Sequence, residues 1–101
     1  MAVMEITVMP KSSGTSVSKY ITGIIGMLEN EGIDYQLTPM STIIEGNSSE
    51  LFSIALKMHE RGFHEDIERV YTIVKIDDRR DMEFTAAGKV RSVMTKLDKD
   101  E

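Results

Sequence analysis

The stretch Thr38-Pro39-Met40-Ser41-Thr42-Ile43-Ile44-Glu45-Gly46 sets a hydroxyl, Thr42, three residues ahead of a carboxylate, Glu45. Groups of these types hold small polar ligands well, because a carboxylate accepts and a hydroxyl can donate or accept. Pro39 removes a backbone donor, so the chain there must be an edge, a bulge or a bend. Beyond it, Ser41, Ile43 and Glu45 share one face of an extended strand, and Thr42, Ile44 and Gly46 the other. A carboxylate beside Ile43 on a partly apolar surface costs free energy unless it meets a donor. Glu45 is therefore the first candidate for ligand contact.

Other constellations carry less. His59 and His64 stand five apart with Gly62 between them, whereas a zinc helix needs two histidines one turn apart on one face. His59 reads instead as a helix-end histidine interacting with the dipole. The Ser/Thr/Gly loop at 12–16 could present backbone N–H groups to an anion. It lacks a Walker sequence, and helix capping accounts for Ser16. The alternating charges of Asp77-Asp78-Arg79-Arg80-Asp81 read as a solvated, self-paired turn. With no cysteine in the chain, disulfides, thiolate metal sites and cysteine nucleophiles are excluded. No Ser/His/Asp set can be assembled. The reading is a non-catalytic protein with no cofactor and no metal.

The elements that would position these residues follow from hydrophobic period. Ala2, Met4, Ile6 and Val8 line one face of an opening strand, and Val3, Glu5, Thr7 and Met9 the other. Val17, Tyr20, Ile21, Ile24, Ile25 and Leu28 form the apolar stripe of a first helix, stopped by Gly32. A strand starts at Tyr35-Gln36-Leu37-Thr38, and the Pro39 corner leads into a third. A second helix follows Gly46-Asn47-Ser48, capped by Ser48 or Ser49, with Leu51, Ile54, Ala55, Met58 and His59 at helical spacing. Arg69–Ile76 is rich in β-branched residues and reads as a strand. Val90, Val93, Met94 and Leu97 mark a last helix capped near Thr85. The order β-α-β-β-α-β plus a helix predicts one α+β domain over residues 1–101. It is a ferredoxin-like sandwich with a four-stranded antiparallel sheet of order 4-1-3-2 and an extra C-terminal helix.

The helices of such a fold cover one sheet face. The other, carrying Val3, Met9 and one side of Val70–Ile76, is too apolar to be simply solvated, which predicts self-association through sheet faces. A net charge of −5, with no Lys/Arg cluster, argues against a nucleic-acid surface. No apolar run reaches the roughly 20 residues that span a bilayer, and the first residues lack a signal-peptide pattern. A cytoplasmic protein that meets no membrane is expected. Its eight methionines suit an adaptable core or contact surface.

Several segments together resemble the small thiamine-binding protein family, single-repeat relatives of the YkoF-type thiamine-binding proteins. They are Pro10-x-x-x-Gly14-x-Ser16-Val17-Ser18, Tyr35-x-Leu37-Thr38-Pro39-Met40-x-Thr42-x-x-Glu45-Gly46, Arg69-Val70, Lys75-Ile76-Asp77-x-Arg79 and Lys89-Val90-x-Ser92-Val93. The resemblance covers nearly the whole chain, and its specific part is the central Thr-Pro-Met-x-Thr-x-x-Glu-Gly segment. It implies a ferredoxin-like fold, sheet-mediated homodimers pairing into homotetramers, and binding of thiamine or its hydroxymethylpyrimidine moiety without catalysis. The chemistry agrees: an aminopyrimidine offers an exocyclic amine beside a ring nitrogen, and a carboxylate can take both hydrogens. Glu45 would fill that role, with Thr42 or Thr38 completing the polar set and Met40, Met9 or Tyr20 walling the flat ring. Ser16 is a further candidate contact. Two other readings stand beside this one: a structural or regulatory oligomer without a small ligand, and a small enzyme using Glu45 as acid or base on a heteroaromatic substrate.

Overall fold

In the computed structural model, which describes residues 1–11, 18–63, 67–83 and 85–99, the opening strand β1 (Ala2–Lys11) runs down the middle of the sheet. It pairs antiparallel with β3 (Thr42–Gly46) on one side and with β4 (Arg69–Asp78) on the other. The short β2 (Gln36–Leu37) extends the sheet beyond β3, so the spatial order is β2-β3-β1-β4. Counted from the opposite edge this is the predicted 4-1-3-2. Helices α1 (Ser18–Asn30) and α2 (Ser48–Arg61) connect the strands, and α3 (Ala86–Lys99) follows β4.

The alternation along β1 decides where the core lies. Ala2, Met4, Ile6, Val8 and Pro10 are buried while Val3, Glu5, Thr7 and Met9 are half-buried. The buried set packs with Ile24 and Leu28 of α1, Ile44 of β3, and Leu51, Ala55 and Met58 of α2. Residues opposite one another across an antiparallel pair share a face. Thr42 opposite Ile6 and Ile44 opposite Met4 therefore point toward the helices. Ile43 opposite Glu5 and Glu45 opposite Val3 point toward the open face, joined there by Tyr71, Ile73, Lys75 and Asp77 of β4. Tyr71 and Ile73 are exposed, so the apolar second face predicted from the sequence is present.

Several boundaries differ from the sequence reading: β1 runs on to Lys11 and β4 to Asp78. β2 ends at Leu37 because the Thr38 backbone turns: its N–H donates to the Ser41 carbonyl at 2.8 Å, and the ladder stops. The N-cap of α2 is Asn47 rather than Ser48 or Ser49. Its extended backbone (φ −79°, ψ 156°) lets Oδ1 accept the Glu50 N–H at 2.9 Å, while Nδ2 donates to the Glu50 carboxylate at 2.8 Å. The pair caps the helix through the Asn47 side chain alone, one backbone N–H being satisfied and the Glu50 carboxylate held by the side-chain amide. Gly62 closes α2 in a right-handed conformation (φ −65°), in contrast to Gly32, which turns at φ +70° past α1. Gly62 is needed for room, since a Cβ there would lie 3.0 Å from Val8 Cγ1 and 3.2 Å from Val70 Cγ1.

Candidate functional site

A cavity of about 380 Å³ opens where the late part of β1, the corner between β2 and β3, and α1 meet. Its walls are apolar, with Ile6, Val8, Ile21, Ile24, Ile25 and Met58 among them. The corner supplies the polar rim. Thr38 Oγ1 accepts the Ser41 N–H at 3.0 Å and donates to the Ser41 carbonyl at 2.9 Å. Thr7 Oγ1 donates to the Met40 carbonyl at 3.2 Å, and Ser41 Oγ donates to Glu5 at 3.0 Å. Glu5 also meets Lys75 at 3.5 Å. These bonds fix the Pro39 bend and fold the segment over the end of β1.

Thr42 lines this cavity and is the one buried polar residue among those described, 6% exposed. Its hydroxyl has no protein partner among the described residues, and since no buried side-chain polar atom there lacks one, the oxygen is open to the cavity. A hydroxyl open to a cavity can exchange its water for a ligand polar atom, a hydrogen bond generally worth about 0.5–1.5 kcal/mol net. The volume lies in the ordinary range for small-molecule sites, and the few-polar, mostly apolar lining is their usual composition. Among the described residues around it, Lys11 alone is ionisable.

The residues singled out from the sequence are thus divided. Thr38, Met40, Thr42 and Met9 line this one cavity, with Met40 82% exposed at its mouth. The Thr38 hydroxyl is already engaged in the corner, so it shapes the cavity more than it offers a free group. Glu45 is not with them. It lies on the open side of β3, where its carboxylate accepts the Ala86 N–H at the start of α3. There it borders a separate depression with Met1, Asp34, Tyr35, Gln36 and Ile43. The expected polar set of Glu45 with Thr42 is not assembled within one chain, because three residues along a strand is an odd step and reverses the face. Tyr20 is buried in α1 with Lys19 Nζ 4.9 Å from its ring centroid, and it does not line the cavity. Ser16, and with it the 12–16 loop, lies outside the described residues, as does His64.

Sequence reasoning treated Ile21, Ile24 and Ile25 as an undivided core stripe, yet these side chains also wall the cavity. Period alone reports the buried face of a helix and cannot tell filled core from a hollow. His59 sits in the last turn of α2 as expected, but its ring has a specific partner. Nδ1 lies 2.7 Å from Thr72 Oγ1, and Phe63 meets the ring edge-on. The charged turn is self-paired as read: Arg79 with Asp81 at 2.7 Å and Arg80 with Asp78 at 2.8 Å. Those hydrogen bonds from the guanidinium groups hold both carboxyls below the usual carboxylate range. Among the described residues no group of three acidic or histidine side chains is arranged to hold a metal, and no helix is long and apolar enough to cross a membrane.

A sheet of this order under two helices, with a walled cavity at the corner before β3, describes a class of small α+β sandwich domains. The family model for thiamine-binding proteins matches residues 4–94. The chain belongs to the thiamine-binding protein family. It is 44% identical over 98 residues to the UPF0045 protein YqgV of Bacillus subtilis, with 92% of this chain and 94% of that one covered. It is 34% identical to a UPF0045 protein of Methanothermobacter thermautotrophicus, covering 96% and 100%. The solved structure of the hypothetical protein MJ1052 from the methanogen Methanocaldococcus jannaschii superposes with a TM-score of 0.80 at 29% identity, covering 91% and 94%. A Thermotoga maritima structure, described as that of a candidate thiamine biosynthesis/salvage protein, superposes with a TM-score of 0.74 at 20% identity, covering 91% and 97%. At that identity the likeness is one of fold.

Proposed function

We propose that this protein binds thiamine or its hydroxymethylpyrimidine moiety, without transforming it, in the cavity beneath the Pro39 corner, and that it works as a homo-oligomer. The observation that carries this reading is the Thr42 hydroxyl, on a residue 6% exposed, which faces a mostly apolar cavity without a protein partner among the described residues. A flat heteroaromatic ring fits such a site: its faces meet Ile21, Ile25 and Met58, and one edge nitrogen or amine meets Thr42. Membership of the thiamine-binding family supplies the ligand class. Binding without catalysis agrees with a lining whose single ionisable member is Lys11, since proton transfer needs a group that titrates near the working pH.

The oligomer rests on a different feature, the exposed apolar surface of the open sheet face, Tyr71 and Ile73 above all. That surface also favours the reading in which association itself is the function and no small molecule is bound. Calorimetric titration with thiamine, its phosphates and hydroxymethylpyrimidine separates the two. Heat with at least one of them, lost on filling the cavity by Ile25→Phe, supports the binder. Absence of heat with all of them leaves the structural oligomer.

A further inference from the structure

The cavity lies where β3 parts from β1. Along β4 the pairing of β1 runs unbroken from Ala2 opposite Asp78 to Lys11 opposite Arg69. Along β3 it stops at Ile6 opposite Thr42. Continued, that register would set Val8 against Met40 and Pro10 against Thr38. The Pro39 corner has turned away instead, and Thr38 and Met40 stand across the cavity from the free edge of β1. A strand in the middle of the sheet thus has one bare edge at Val8 and Pro10, and that edge borders the candidate site.

Which backbone groups point into the gap follows from the ladder. Opposite residues of an antiparallel pair alternate between exchanging both hydrogen bonds and exchanging none. The Arg79 N–H donates to the Met1 carbonyl at 3.4 Å, and these two residues continue the β1–β4 register. The odd-numbered residues of β1 therefore bond to β4, and the even-numbered ones turn their N–H and C=O the other way. Ala2, Met4 and Ile6 meet β3 there. Val8 and Pro10 do not, and among the described residues no backbone bond outside the ladders reaches them. Proline fits this phase, because a donor facing a missing strand is no loss. Val8 is buried, and buried backbone groups are nearly always paired, with protein, water or a ligand. We propose that the Val8 main chain reads the aminopyrimidine edge of the ligand. Its N–H donates to a ring nitrogen, and its C=O accepts from the exocyclic amine beside it. The two groups of an extended residue lie side by side, as do the nitrogen and amine of the ring. Thr42 then serves a second polar atom, and the Glu45 carboxylate, on the other face, is not needed. The inference rests on the binding reading above and names the feature the site selects: an acceptor and a donor adjacent on one flat edge.

Amide hydrogen exchange followed by NMR tests the geometry without any ligand. In the free protein the Thr7 and Met9 N–H groups, bonded to β4, should exchange slowly, and the Val8 N–H between them at least tenfold faster. A Val8 amide as protected as its neighbours would overturn the proposal. With hydroxymethylpyrimidine bound, the Val8 N–H should shift downfield and its exchange should slow. The same ring without its exocyclic amine should bind roughly ten- to a hundredfold more weakly in calorimetry, because the Val8 carbonyl is left unpaired. Equal affinity for the two rings would overturn the proposal. Val8→Pro removes the donor while sparing the β4 ladder, and should weaken the amine-bearing ring by a similar factor with the sheet signal in circular dichroism retained. Should that variant fail to fold, the exchange and analogue measurements on the wild type still decide. The two layers fail separately. Absence of binding to the wild type removes the binding reading and this one with it. Binding that weakens in Thr42→Val but leaves the Val8 amide unmoved removes only the role of Val8.

Discussion

Thr42 and Glu45, three residues apart on β3, leave the strand through opposite faces of the sheet. Thr42 points into the cavity under the helices, and Glu45 out to the N-terminus of α3. The motif that looks like one polar set in the sequence therefore serves two structures. Substitution separates them. Thr42→Val keeps the shape and removes the hydroxyl, so thiamine affinity should fall roughly two- to tenfold, with little change in helix content. Glu45→Gln should leave that affinity within a factor of about two, because a carboxylate on the far face contributes only screened, long-range charge. Calorimetry on both variants checks this. The reverse pattern would place the ligand in the depression beside Glu45, Asp34 and Tyr35.

The corner and the sheet could be read from the sequence because they obey local rules. Alternation along β1 and the β-branched run of β4 fixed the buried face, and Pro39 marked the bend. The cap of α2 was missed because serines adjoin Asn47, and the choice among them depends on which backbone is extended, a property of the turn rather than of residue type. The cavity was invisible for a different reason. It arises from the corner standing over α1, a contact between segments far apart in the chain, and hydrophobic spacing is blind to voids. The unpacked state of α3, whose Val90, Val93, Met94 and Leu97 are all exposed, was also hidden, since a stripe at helical period looks the same whether its partner is this chain or another.

Loss of the α2 cap has a calculable cost. Asn47→Ala removes the acceptor for the Glu50 N–H and the donor to the Glu50 carboxylate. Destabilisation of about 1 kcal/mol is expected, or a fall in Tm of roughly 4–8 °C for a domain of this size. Asn47→Asp should lose much less, because it retains the acceptor and adds negative charge at the helix N-terminus. Thermal denaturation of the two variants is the check.

Two glycines should respond in opposite directions to alanine. Gly26, inside α1, has no atom within 4 Å of its would-be Cβ, so Gly26→Ala should stabilise by roughly 0.5–1 kcal/mol. Gly62→Ala would push on Val8, Val70 and the His59 carbonyl at 3.0–3.2 Å. Two branched side chains and a backbone oxygen have little freedom to withdraw, so a loss of about 1–3 kcal/mol is expected. Urea unfolding of both variants at a common m-value tests the pair.

The Arg79–Asp81 and Arg80–Asp78 pairs give a weak pH dependence of known sign. Both carboxyls are held below their ordinary values by the arginine hydrogen bonds. Their contribution is therefore complete above the ordinary carboxylate range and is lost as pH falls through the lowered folded values. The pairs are exposed and salt-screened, so the effect should be small. The double substitution R79Q/R80Q should flatten the acid limb of a Tm-against-pH curve at low ionic strength and leave the curve at neutral pH nearly unchanged. An acid limb as steep as the wild type's would show that these pairs are not its source.

The central claim is that the cavity beneath the Pro39 corner holds a thiamine-type ring through Thr42. Its most direct test is titration of thiamine and of hydroxymethylpyrimidine into the wild-type protein and into Thr42→Val, read by calorimetry. The account predicts saturable binding of at least one of these ligands to each cavity in the wild type, weakened roughly two- to tenfold in the variant. Binding of equal strength in both proteins would contradict the role of Thr42, and absence of binding to the wild type would contradict the function.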